Sequence, residues 1–208
     1  KGVYFSHRQL MLHTLGCAAA LGGANRQGHI HREDVYMPMT PMFHVHAWGF
    51  PYLATMLGVK QVYPGRYTAE SLLRLIVQER VTFSHCVPTL LQMILTAAQA
   101  GGADLRGWKV VVGGSALPQA LAKQAMDMGI DCFAGYGLSE TAPILTLAQL
   151  IDESDNKISE EASMIQRCSA GRAIPLVDMQ IVDGAMQPRA RDNCSQGEIA
   201  VRAPWLTQ

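Results

Sequence analysis

The chain has 208 residues, enough for one substantial core with at most a small satellite, since single domains commonly run to about 100–200 residues. Lys plus Arg and Asp plus Glu each number 17, so the formal net charge is zero and no global field draws the chain to nucleic acid or anionic lipid. Five scattered cysteines (Cys17, Cys86, Cys132, Cys168, Cys194) form no C-x-x-C pair, which argues against a zinc ribbon or redox couple and predicts reduced, cytoplasmic thiols, with the first three packed in the core.

Ser6 and Gln9 form a capping-box pattern ahead of a Leu- and Ala-rich helix that Gly22-Gly23 ends. Its apolar stretch LMLHTLGCAAALGG is interrupted by His13 and falls short of the about 20 residues that cross a bilayer, so it predicts neither an anchor nor a signal peptide. The segment 34–39 reads as a short strand because Pro38 disfavours helix before it. A helix is expected over 47–57, closed by Gly58, then a strand over 59–63. Thr68 caps a helix in which Leu72, Leu75 and Ile76 keep the helical period, and VTFSHCV at 81–87 is a buried-type strand. Helix 89–100, strand 108–112, helix 118–128 and strand 130–133 follow. This alternation predicts an α/β fold with a mainly parallel sheet covered by helices.

The polar stretch IDESDNKISEEAS reads as a solvated connection or an exposed helix. After Arg172 the alternation becomes two-residue, with Val177, Met179 and Ile181 on one face. The turn Asp183-Gly184 then leads to a second strand over 197–202. The expected organisation is an α/β nucleotide- and acyl-binding subdomain at 1–150, a connection at 151–171, and the start of an antiparallel β subdomain at 172–208.

Three glycine-bearing segments lie at or near the ends of predicted strands, where open parallel sheets gather their ligand loops: PMFHVHAWG (41–49), VGGSALP (112–118) and AGYGLSETAP (134–143). In the second, Gly113 and Gly114 let backbone approach a flat ligand, and amides opening the next helix favour negative charge, although a plain strand-to-helix turn would read the same. In the third, Gly135 and Gly137 flank Tyr136, which can stack on a base. Ser139 and Glu140 supply a hydroxyl for phosphate and a carboxylate for Mg²⁺, or else an ordinary capped helix start. His44 and His46 are too few for a zinc site, and neither Ser115 nor Ser139 sits in the G-x-S-x-G setting of a hydrolase nucleophile.

Together the three motifs, in this order and spacing, resemble the signatures of the adenylate-forming superfamily; GYGLSET is similar to its Y-G-x-[ST]-E motif. The opening KGVYFSHRQL resembles the segment after that superfamily's phosphate loop, whose last lysine would be Lys1. The endings SAGRAIPLVDMQIVD and GEIAVRAPWLTQ resemble its entry into a β-barrel-like subdomain, so the likeness spans essentially the whole chain. HAWGFPY looks most like medium- and long-chain fatty acyl-CoA synthetases. Aryl-CoA ligases, luciferases and peptide-synthetase adenylation domains share the nucleotide motifs, and a non-catalytic nucleotide-binding scaffold is the alternative from another class.

The resemblance implies a flavodoxin-like subdomain and a reaction in which a fatty acid attacks ATP to give acyl-AMP and pyrophosphate, after which CoA displaces AMP. It implies that Tyr136, with Gly135 and Gly137 beside it, stacks on adenine opposite the backbone of Gly114, Ser115 and Ala116. Ser139 and Lys1 would contact phosphate, and Glu140 would hold Mg²⁺. His44 would meet the acyl carboxylate, and Trp48 with Gly113 would line the acyl or CoA passage; plain interior packing remains the other reading of His44 and Trp48. Ala134 departs from the Gln or Asn often found before Gly135, which leaves adenine recognition to backbone groups. The ribose-binding Asp, the hinge and the C-terminal lysine of the family fall beyond Gln208, and both ends look cut, so the expected object is an internal piece that does not turn over alone. Its expected partners are fatty acid, ATP and CoA, without nucleic acid or membrane span, and with a homodimer allowed.

Overall fold

The computed structural model describes residues 2–23, 28–150, 159–192 and 194–207. Seven strands form one sheet in the order β2-β1-β3-β4-β5-β6-β7, and β8-β9 form a separate pair. These are β1 Val35–Pro38, β2 Lys60–Gln61, β3 Phe83–Cys86, β4 Lys109–Val112, β5 Asp131–Gly137, β6 Ile144–Leu147, β7 Arg172–Ala173, β8 Asp178–Val182 and β9 Glu198–Arg202. β1 to β5 are parallel, while β6 and β7 run antiparallel. The first five strands have the flavodoxin order, whose ligand crevice lies at the carboxyl ends where the order reverses, here between β1 and β3. Every residue of β3, β4 and β6 is buried, as expected for strands covered on both faces.

Helices flank the sheet as the alternation predicts. His7–Gly22 packs on Phe50–Leu57. Ala69–Glu79, Pro88–Gly101, Gln119–Asp127 and Glu160–Cys168 pack in succession. The first begins with the expected capping box, in which the Gln9 amide N–H donates to Ser6 Oγ at 3.2 Å and the Ser6 amide to Gln9 Oε1 at 2.8 Å. Thr68 caps its helix likewise by accepting from the Ser71 amide. The polar stretch expected to be a connection or an exposed helix ends in the exposed first turn of the helix Glu160–Cys168, while residues 151–158 lie outside the described ones. Arg167 ties that helix to β5 through Asp131 at 2.6 Å. At the amino-terminal edge Lys109 meets Asp34 at 2.7 Å. Burial works to raise the Asp34 pKa, but hydrogen bonds from Lys109, Thr82 and the His31 amide outweigh it and hold the carboxyl below its ordinary range.

Two boundaries differ from expectation for physical reasons. The helix expected from Ala47 begins at Phe50, because Pro51 fits only a first helical turn and Gly49 before it is left-handed at φ 76°. Arg172–Ala173 remain part of the large sheet, opposite Leu147 and Thr146, and the separate antiparallel pair begins at Asp178. Gly171, at φ +85°, permits this: a Cβ there would stand 2.2 Å from the Leu147 carbonyl carbon.

β5 extends through Gly137, where the expected strand stops at Phe133. Its last residues pair with β6, an element that the local pattern does not announce, and the register shifts between Tyr136 and Gly137. A Cβ on Gly137 would lie 2.6 Å from the Pro143 carbonyl carbon, a backbone atom that cannot swing away. Gly137→Ala therefore lowers unfolding free energy by about 3 kcal/mol, the scale of a severe overpacking change. Gly184→Ala, which meets nothing within 4 Å, shifts it by only about 0.5 kcal/mol or less. Equal urea midpoints for the two variants of the native protein would refute the tight approach.

No helix among the described residues is long and apolar enough to cross a membrane. All five cysteines are free, with Cys17, Cys86 and Cys132 buried.

Candidate active site

The three motif segments meet at the carboxyl edge of the sheet. After β1 the chain enters a turn in which Val45, His46, Ala47 and Trp48 all have positive φ, from 47° to 60°. Left-handed backbone costs L-residues about 1–2 kcal/mol each, so four of them store roughly 4–8 kcal/mol. The turn delivers Trp48 into the core, 5% exposed, with its ring 5.0 Å from that of His85 in β3. Burying about 200 Å² of an indole contributes on the order of 5 kcal/mol, which is comparable to the strain. The turn and the buried indole are thus energetically coupled, and neither is expected to persist unchanged without the other.

Trp48 packs tightly against one glycine, Gly113, and lies at ordinary contact distance from the next, Gly114. A Cβ on Gly113 would stand 3.1 Å from Trp48 Cη2 and 2.9 Å from the Gly135 carbonyl oxygen, and one on Gly114 would stand 3.1 Å from Val87 Cγ1. Gly114 is left-handed at φ +79°. Gly114, Ser115 and Ala116 are exposed, forming an open turn before Pro118 caps the helix at Gln119. On the neighbouring strand Val112 pairs with Ala134, so this turn and half-buried Tyr136 leave the sheet edge side by side.

Ser139–Thr141 is a single 3-10 turn rather than the start of a regular helix. Its cap is Thr141, whose Oγ1 accepts from the Leu138 amide at 2.9 Å and donates to the Pro143 carbonyl. That arrangement leaves the Ser139 side chain at the edge of a cleft of about 300 Å³ shared with His44, His46, Phe5 and Phe43. Glu140 is exposed and lines an adjoining cleft of about 960 Å³ with Arg8, Gln9 and the segment 203–207. That segment is seated on the backbone of Glu140: the Thr207 amide and hydroxyl each donate to its carbonyl at 3.3 Å, and Gln9 Nε2 donates to the Leu206 carbonyl at 2.8 Å.

The structure therefore brings His44, Ser139 and Glu140 to one connected rim, sets Gly113, Gly135 and Trp48 in contact beneath it, and places Tyr136 beside the Gly114–Ala116 turn. Lys1 lies outside the described residues. His44 is exposed rather than an interior histidine, and Trp48 is buried. Among the described residues no three His, Cys, Asp or Glu gather to hold a metal. A lone exposed carboxylate does fit a hard cation held mainly by substrate phosphates and water, as Mg²⁺ commonly is.

Two residues of this region, Thr141 and His13, escaped the sequence reading, and a third, His46, was weighed only as half of a metal pair. Thr141 is visible only as the last letter of SET. His46 lines the cleft, and its buried Nδ1 has no hydrogen-bond partner among the described residues. His13, noted only as an interruption in an apolar helix, is buried behind both loops.

The AMP-binding enzyme family matches the chain over residues 1–208. The chain belongs to that family. Among relatives of the chain, a long-chain-fatty-acid–CoA ligase of Thermus thermophilus is 37% identical over 209 residues, covering 100% of this chain and 38% of the relative. A medium-chain-fatty-acid–CoA ligase of Ectopseudomonas oleovorans is 33% identical over 213 residues, covering 99% of this chain and 37% of the relative. The chain thus spans under two fifths of the length of these curated relatives. In fold it matches the O-succinylbenzoate coenzyme A synthetase of Bacillus subtilis in complex with ATP and magnesium ion, at TM-score 0.79 and 22% identity, over 100% of this chain and 39% of that one.

Proposed function

We propose that this AMP-binding chain supplies the nucleotide and acyl site of a fatty acid–CoA ligase, formed chiefly by residues 1–150, with the antiparallel pair from Asp178 onwards beginning the next subdomain. The observation that carries the reading is the joined pair of clefts, in which a histidine, a serine hydroxyl and an exposed carboxylate share one rim at the carboxyl edge of the sheet. In the reaction a fatty-acid carboxylate oxygen attacks the α-phosphorus of ATP, the bond to pyrophosphate breaks, and CoA sulfur later displaces AMP from the acyl carbon. Catalysis of this kind is positioning and charge stabilisation.

In this proposal Tyr136 stacks on adenine against the Gly114, Ser115 and Ala116 backbone, and the Ser139 hydroxyl donates to phosphate. His44 orients the acyl carboxylate, and Lys1 adds positive charge at the phosphates. Mg²⁺, when bound, neutralises phosphate charge, and Glu140 is the residue that would hold it. Trp48 closes the acyl passage over Gly113. The reduced cysteines are consistent with a cytoplasmic enzyme.

The test is ATP–pyrophosphate exchange by the native gene product across acids from acetate to stearate. Exchange with none of them, despite ATP binding, would replace this reading with a non-catalytic nucleotide-binding protein. In the same assay Trp48→Ala is expected to change the ratio of kcat/KM between long and short acids by about 10-fold, the scale of a lost apolar contact in a specificity pocket, with KM for ATP changing less. A uniform loss at every chain length would assign Trp48 to packing alone.

A further inference from the structure

His13 lies on the helix His7–Gly22, 1% exposed, and touches parts of the chain far from itself. Its Nε2 accepts a hydrogen bond from the Ile144 amide at 3.1 Å, across 131 residues of sequence. Ile144 opens β6 directly after the turn bearing Ser139 and Glu140. On another side the ring meets Gly49, where a Cβ would stand 2.9 Å from His13 Cε1 and 3.4 Å from the Ala142 carbonyl. Gly49 ends the left-handed turn bearing His46 and Trp48. The ring edge packs on Trp205 at 5.4 Å and 83°, a residue within the segment seated on the Glu140 backbone. Within its own helix the ring contacts Cys17, whose sulfur lies 3.6 Å from Nε2.

We propose that His13 is a positioning residue of the adenylation site, a single ring that sets the Ser139–Glu140 turn against the loop carrying His44 and Trp48. Both loops face the clefts, and neither has a regular ladder to the other; the imidazole is packed against each of them. Because Nε2 accepts from a backbone N–H, the ring works as a neutral acceptor with its proton on Nδ1. Removing the acceptor leaves the buried Ile144 amide without a partner and frees the end of the turn. The inference rests on the ligase reading for its catalytic consequence, but not for its structural one.

The experiment compares His13→Leu, which keeps bulk without an acceptor, with His13→Gln, whose side-chain oxygen can take over the acceptor position, both in the native gene product. Amide hydrogen exchange at Ile144 is expected to rise about 10-fold or more in the Leu variant, the equivalent of one lost net hydrogen bond, and to return towards wild type in the Gln variant. Adenylation kcat/KM for Mg·ATP should fall about 10-fold or more in the Leu variant and stay within about 3-fold in the Gln variant, as expected when reacting groups are misplaced slightly. Unchanged exchange at Ile144 in a folded Leu variant overturns the proposal, and so does raised exchange with adenylation intact. If the wild type adenylates no acid, the ligase reading fails and the exchange measurement alone decides whether His13 sets the turn. If the Leu variant does not fold, the Gln variant decides: wild-type exchange and adenylation support the acceptor role, and loss of both refutes it.

Discussion

Glu140→Gln in the native gene product is expected to lower acyl-AMP formation by about 10²-fold or more, the loss typical of removing one electrostatic stabiliser from a phosphate-transfer site. Of the residues around the candidate phosphate position, Glu140 offers the hard anionic oxygen, and its side chain is exposed at the cleft. The substitution keeps size and backbone. The contacts that Thr207 makes go to the Glu140 carbonyl, not to its carboxylate, so they survive. The melting temperature should therefore stay within the small range of a surface change. Thioester formation from supplied acyl-AMP and CoA should suffer much less, since that half-reaction carries no triphosphate. Equal losses in the two half-reactions, or a full-rate adenylation, would remove Glu140 from the metal site.

Acidification should destabilise the fold well above the range in which carboxylates titrate. His13 and His85 are both buried, at 1% and 0% exposure. Burial lowers the His13 pKa from 6.5 to about 4, with the neighbouring His46 charge adding to the effect, and burial lowers that of His85 to about 3. His85 is satisfied as a neutral ring by Tyr36 Oη at 2.8 Å and Thr40 Oγ1 at 3.1 Å, and is covered by Trp48 and Phe50. Between pH 6.5 and about 4 the unfolded chain binds these protons and the native chain does not, so stability rises with pH and is lost as pH falls. Each such histidine contributes about 1.4 kcal/mol per pH unit inside its window, so the pair contributes roughly 2.7 kcal/mol per unit, a large share of ordinary domain stability. Urea unfolding between pH 7 and pH 4.5, within that window, should show this slope, and His13→Gln should reduce it by about half. A flat profile for the wild type, or greater stability at the acid end, would contradict the buried neutral rings.

The α/β architecture, most helix ends and the three loops at the carboxyl edge of the sheet were legible in local patterns of the chain. Those features depend on neighbours a few residues away: Ser6 with Gln9, Thr68 with Ser71, Gly58 closing one helix, and the continuous apolar run of β3. Ser139, Glu140 and His44 were legible as a group because motif order along the chain becomes adjacency at the strand ends of a parallel sheet. Tertiary structure alone decided the antiparallel half of the sheet and the left-handed turn. β6 exists because Gly137 and Gly171 admit backbones from Pro143 and Leu147 at distances that no local pattern encodes. Val45, a β-branched residue with a strong preference for negative φ, sits at φ 47° in the turn that delivers Trp48 into its place between His85 and Gly113. His13 became part of the site only when folding brought Ile144, Gly49 and Trp205 to its ring. Local free energies of a few tenths to about one kcal/mol select helices and strands, whereas these placements depend on burial and hydrogen bonds between residues far apart in the chain, which exist only in the assembled core.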